Sequence, residues 1–180
     1  MNERITLISL FNEDDIEKIN NVLGDVTDIL CKVPFGKNVD DRFKVDTLPH
    51  HFTIFSWNIE KEKEVINFLK NISFEKFKIL VDKIIIVEGN EGSFDLRFNI
   101  ENNESLYNIQ KTIFNEYSSK YYVPDNFNFH ITIHIDKDYE KVLQIKKQIE
   151  KKFSPFTLTI KELGLFEIYP AKLVKTFKSN

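Results

Sequence analysis

Apolar residues recur along this chain at two spacings, and the switches between them predict the order of its elements. Ile5–Phe11 ("ITLISLF") alternates like a strand. Acids open the next stretch, "NEDDIEKINNVL", and Ile16, Ile19, Val22 and Leu23 follow at helical spacing. Residues 24–50 are polar and irregular, with Pro34, Gly36 and Pro49. His51–Trp57 then reads as a strand, and "EKEKEVINFLKN" as a helix with Val65, Ile66, Leu69 and Ile72 on one face. "FKILVDKIIIVEG" and Phe94–Ile100 are rich in β-formers.

The pattern then begins again. "NNESLYNIQKTIFNEYSSKY" predicts a helix built on Leu106, Ile109, Ile113 and Phe114. A loop with Pro124, Asp125 and Asn126 leads into a strand over Phe129–Asp136. "DYEKVLQIKKQIEKKF" is helical, with Val142, Ile145 and Ile149 inward, and "FTLTIKELGLFEI" and "KLVKTF" close the chain as strands. At a fixed offset of 79, His51, Thr53 and Ile54 fall on His130, Thr132 and Ile133, and Ile66, Phe74, Phe77 and Glu88 fall on Ile145, Phe153, Phe156 and Glu167. We read a duplicated unit: one bilobal domain over 1–180, with pseudo-repeat units at about 4–90 and 93–179.

The repeated stretch is "HFTI" at His51 and "HITI" at His130. Side chains alternate faces in a strand, so each copy presents one imidazole and one hydroxyl on one face and apolar residues on the other. Facing each other, the copies would bring two His and two Thr to one groove. That set suits displacement at phosphorus, which needs a base on the attacking oxygen and an acid on the leaving one. Histidine, with an unperturbed pKa near 6.5, can do either. Threonine hydroxyls can donate to non-bridging phosphate oxygens, where charge develops. The scheme calls for no metal and no cofactor.

Two His-x-Thr-x motifs, one in each half of a chain of this length, resemble the 2H phosphoesterase superfamily. That group includes bacterial 2′-5′ RNA ligase-like proteins and 2′,3′-cyclic nucleotide phosphodiesterases. The resemblance implies an α+β, bilobal, duplicated LigT-like fold: two antiparallel-rich sheets flank a central groove, with helices outside. It also implies that His51 and His130 are the catalytic pair, with Thr53 and Thr132 as phosphate-oxygen ligands. Many members carry a basic residue just after the motif, on the same strand. Here those places hold Phe55, Ser56 and Trp57, then His134, Ile135 and Asp136.

All four histidines lie in the two motif windows. His50 is expected to face away from His51 and to be structural, whereas strand alternation puts His134 on the face of His130 and Thr132 as a substrate-binding candidate. His130 and His134 are four apart, hence about 13 Å along a strand rising roughly 3.3 Å per residue, too far to share one metal ion. The loop before the first motif carries Arg42, which could fork a phosphate, and Phe43, which could stack a base. Tyr169, at the end of the last long strand, is a further stacking candidate.

Composition narrows the partners. A net charge of −3 disfavours a non-specific nucleic-acid binder and leaves a small nucleotide or RNA-end phosphodiester as the expected substrate. No apolar run reaches the roughly 18 residues of a membrane span, and the single Cys31 forms no internal disulfide, so a cytoplasmic location is expected; a monomer is the default expectation, since the sequence does not fix the oligomeric state. The function expected is hydrolysis of a cyclic 2′,3′-type or 2′-5′ phosphodiester. The alternatives are a 2′-5′ ligase of RNA ends and a non-catalytic nucleotide-binding module of the same fold.

Overall fold

The computed structural model describes residues 4–26, 50–168 and 171–180. Among them are eight strands and four α-helices, in the order β1 (Arg4–Leu10), α1 (Glu13–Leu23), β2 (Thr53–Asn58), α2 (Glu62–Leu69), β3 (Phe77–Glu88), β4 (Phe94–Ile100), α3 (Glu104–Glu116), β5 (His130–Asp136), α4 (Tyr139–Glu150), β6 (Phe156–Ile160), β7 (Glu162–Ile168) and β8 (Ala171–Lys178). Three of the four helices start where a side chain satisfies a free N–H group: Asn12 accepts from Asp15 N, Asn103 from Leu106 N and Asp138 from Lys141 N. Two elements differ from the periodicity. The helix predicted up to Tyr121 ends at Glu116, because Tyr117 turns out of it to bury its ring against Trp57 and Phe68. The stretch read as one strand over 156–168 is two, since β6 and β7 pair in different sheets.

The first sheet has the order β2-β1-β7-β8 and the second β5-β4-β3-β6, with every pairing antiparallel. At the offset of 79, β3 corresponds to β6 and β7 together. β3 joins β4 while β7 joins β1, so each sheet takes its third strand from the other half of the chain. The first half of β3 also pairs with its own counterpart, Phe77–Val81 against Phe156–Ile160. This exchange makes the fold α+β with two interlocked lobes. Helix α1 adds a tie: Asp15, 1% exposed, accepts from Lys18 Nζ within α1 and from Thr159 N on β6.

Aromatic rings join the lobes. A chain of ring contacts runs from Phe11 to Phe52, Phe129, Phe127, Tyr122, Phe55, Trp57, Tyr117 and Phe68. Such pairs contribute about 0.5–1.5 kcal/mol each beyond the area they bury. Much of the large phenylalanine complement is therefore spent on this seam, directly behind the two motifs.

Candidate active site

β2 and β5 are the edge strands of their sheets, and the motifs meet where those edges touch. Phe52 and Ile131 form an antiparallel bridge between the lobes. In such a pairing the residue before one partner lies across from the residue after the other. His51 is thus set opposite Thr132, and Thr53 opposite His130. Phe52 and Ile131 turn into the core at 0% and 1% exposure, while His51, Thr53, His130 and Thr132 are all half-buried on the other face. Both His-bearing ends are pinned to neighbouring strands: Ser9 N donates to Phe52 O at 3.0 Å, Phe52 N donates to Ser9 Oγ at 3.0 Å, and Ile100 N donates to Phe129 O at 3.1 Å.

At the last residue of each motif the ladder slips by one. Leu7 faces Phe55 and Ile8 faces Thr53, which leaves Ile54 as a bulge; Leu96 faces His134 and Arg97 faces Thr132, which leaves Ile133 as the matching bulge. The bulges sit 79 residues apart, like the motifs. Gln110, buried on α3, donates from Nε2 to the carbonyl of Ile54 at 3.1 Å.

The second bulge overturns the expectation for His134. Strand alternation put it with His130 and Thr132, but the extra residue turns it to the opposite face, where it is 1% exposed. Its Nε2 lies 3.5 Å from Asp136 Oδ2, too long for a hydrogen bond, and neither ring nitrogen has a partner. Burial, then the charge of Lys141, lowers its pKa. His134 is a residue of the core beside α4. His50, with its pKa lowered by burial and then by His51, meets Asn20 Oδ1 through Nε2 at 3.2 Å.

The environment of His130 is defined. Its Nδ1 lies 2.8 Å from Asn128 O, a carbonyl that can only accept, so Nδ1 carries the hydrogen and Nε2 holds a lone pair. Burial, chiefly, and the charge of Arg97 bring its pKa down to about 4, with a smaller push from His51. The two imidazoles are thus electrostatic neighbours, and His130 is neutral at physiological pH, a state able to take a proton. Arg97 is the residue that sequence reasoning missed. The family pattern puts a cation on the strand after the motif, whereas this one arrives on β4, in register with Thr132. Asn99, in register with His130, donates to Asp82 Oδ1 at 2.6 Å.

Toward the first sheet the polar face continues through hydroxyls: Tyr122 Oη donates to Ser56 Oγ at 3.0 Å, and Ser56 Oγ lies 2.8 Å from Thr6 Oγ1. Arg42, Phe43 and Tyr169 lie outside the described residues. A separate hollow of about 470 Å³, lined by Phe68, Asn71, Phe74, Ser105, Asn108 and Thr112 among others, includes none of the motif residues. Among the described residues no cluster of three His, Cys, Asp or Glu could hold a metal ion, and no helix is long and apolar enough to cross a membrane.

The arrangement is thus an α+β protein whose two halves present paired His and Thr on one face. The model of the LigT like phosphoesterase family matches residues 99–172, a stretch that contains the second motif. No curated protein sequence matches the chain. Among solved structures, Escherichia coli LigT complexed with 3′-AMP superimposes with a TM-score of 0.59 at 13% identity, over 100% of this chain and 99% of that one. The same protein complexed with phosphate gives 0.57 at 12%, over 99% and 98%. Kluyveromyces marxianus Usb1 gives 0.51 at 10%, over 96% and 97%. The likenesses to structures establish a shared fold, and the family model covers the second motif. The resemblance to the 2H phosphoesterase superfamily, first carried by two four-residue motifs, is thereby shown.

Proposed function

We propose that this chain is a phosphoesterase that hydrolyses a cyclic 2′,3′-type or a 2′-5′ phosphodiester of a nucleotide or RNA end by acid/base catalysis between His51 and His130. The observation that carries this reading is the Phe52–Ile131 bridge, which sets each motif His across from the other motif's Thr. A phosphorus atom lying over the bridge would have an imidazole on either side and a hydroxyl beside each.

The hydrogen held at Nδ1 by Asn128 O leaves Nε2 of His130 free to accept the proton of the attacking water. The water oxygen bonds to phosphorus, the bond from phosphorus to the ribose oxygen breaks, and His51 delivers a proton to that oxygen. Thr53 and Thr132 donate to the non-bridging oxygens as charge builds there. Water exchanges the proton gained by His130 for the one lost by His51, and the enzyme returns to its starting state. No metal or cofactor enters this route. The net charge of −3 supports a small substrate over a long nucleic acid. The nucleotide and phosphate named in the structures of the similar LigT protein agree with that class.

The test is to incubate the chain with 2′,3′-cyclic nucleotides, with and without EDTA, and follow the phosphorus NMR spectrum. The expected result is conversion of the cyclic diester to a nucleoside monophosphate at a rate that EDTA does not change. Failure to open any cyclic or 2′-5′ diester at high protein concentration would remove the reading.

A further inference from the structure

Arg97 is an expensive residue to keep where it is. Its side chain is 20% exposed, and among the described residues it meets one carboxylate, Asp95, with Nη2 2.6 Å from Oδ2. Its Nε is buried with no acceptor among the described residues. A guanidinium carries five N–H donors in a planar fork, and donors left unmade in a partly dry site cost stability. In register it stands opposite Thr132. The equivalent place in the first half, opposite Thr53, is held by Ile8 at 0% exposure. Among the described residues, the motif face is therefore symmetric in imidazoles and hydroxyls but not in the residue opposite each threonine.

Asp95 is itself carefully seated. The turn between β3 and β4 brings the backbone of Gly89 so close that a Cβ there would lie 2.5 Å from Ser93 Oγ and 2.7 Å from Asp95 Oδ1. Gly89 N donates to Ser93 O at 2.8 Å, which closes the turn. A side chain at Gly89 would push on Ser93 Oγ and on the carboxylate that grips Arg97, and one of them would have to shift.

We propose that Arg97 is the anion-seating residue of the cleft, receiving the non-bridging phosphate oxygens beside Thr132, and that Asp95, as its positioning partner, biases the seat toward a singly charged diester over a doubly charged monoester. This rests on the phosphoesterase reading above. A planar fork suits two oxygens of one phosphoryl group. The carboxylate beside it offsets part of its charge, enough for one negative charge and poorly matched to a second. A phosphomonoester acquires that second charge near pH 6. The substrate is then held and the product let go by the same pair of side chains. The pKa of His130 is lowered by burial first and by the Arg97 charge second, with Asp95 opposing, so Arg97 acts on the ring beside it even while paired.

The experiment uses the full chain at pH 7.5 and two calorimetric probes, 2′,3′-cyclic AMP and 3′-AMP. The wild type is expected to bind the cyclic diester more tightly. Arg97→Gln is expected to weaken that binding at least tenfold and to raise KM more than it lowers kcat. Arg97→Lys, which keeps the charge but loses the fork, is expected to fall between them and serves if the Gln variant does not fold. Asp95→Asn is expected to narrow the preference for diester over monoester severalfold. Unchanged affinity for the cyclic probe in a folded Arg97→Gln protein overturns the seat; an unchanged ratio in Asp95→Asn overturns the bias. If Arg97→Gln loses binding while His51→Ala and His130→Ala turn over normally, the catalytic reading fails and the seat stands. If the histidine variants are dead and Arg97→Gln binds as wild type, the reverse holds. A wild type that binds neither probe rejects both.

Discussion

The two motif strands are built alike and furnished differently. β2 and β5 each run along the edge of a four-stranded sheet, each carry His-x-Thr, and each bulge one residue later, at Ile54 and Ile133. After the bulge the first strand buries Phe55 and the second buries His134. Opposite the threonine the first lobe places Ile8 and the second Arg97. The shared geometry agrees with the repeat read at the offset of 79, since the two bulges sit at that same offset. What divides the two strands, among the described residues, is side chains that register leaves open: opposite the threonine one has the apolar Ile8 and the other the cation Arg97. On the reading proposed above, that difference would let two identical residue types take different parts in one reaction.

The largest effects are expected where the lobes agree. His51→Ala and His130→Ala are each predicted to lower kcat by about 10²–10⁴-fold, the worth of a positioned proton transfer, in steady-state assays with a 2′,3′-cyclic nucleotide. A large loss in one variant only would mean that the duplication is architectural and a single histidine does the chemistry. Next is the support of the first bulge. Gln110→Leu removes the donor to the buried Ile54 carbonyl and should cost about 1–3 kcal/mol in urea unfolding.

A smaller effect is read through pH, to which His50 of the first lobe also contributes because its pKa is lowered by burial. His130 has a folded pKa of about 4, and that of His134 is also lowered, against an ordinary 6.5 in the unfolded chain. Between those limits the unfolded state binds protons that the folded state refuses. The stabilising contribution of the neutral rings is therefore complete above pH 6.5 and is lost as pH falls toward 4. Thermal melts from pH 7 to 4.5 should show a falling Tm, less steeply in His130→Asn, and a bound phosphodiester anion should flatten the curve by favouring the charged ring. The smallest effect is His134→Phe, which copies Phe55 of the first lobe. It removes two unpaired buried nitrogens, so turnover should stay within about twofold and stability should hold or rise by about 1 kcal/mol. A large loss of turnover would put His134 back among the functional residues.

The periods of 2 and 3.6 made most elements legible, as in β3, α4 and the helix that begins after Asn12. The motif pair was legible because its residue types are chemically unusual and repeat at one offset. Arg97 was not legible as a neighbour of Thr132: the two are far apart in sequence, and their contact depends on strand order, which no local pattern carries. His134 was misplaced for a related reason. Strict alternation assumes an unbroken ladder, and a single inserted residue at Ile133 inverts every later face. The split of the last predicted strand into β6 and β7 also follows from exchange between sheets, a property of the whole fold.

The central claim is that the two histidines act as one unit on one phosphorus atom, and the double variant His51→Ala/His130→Ala tests it most directly. Groups that work as a unit are strongly non-additive. The account predicts that the double variant hydrolyses 2′,3′-cyclic nucleotide about as slowly as the worse single variant. Losses that multiply, so that the double variant is slower by the product of the two single effects, would show the imidazoles contributing independently and would contradict a shared site.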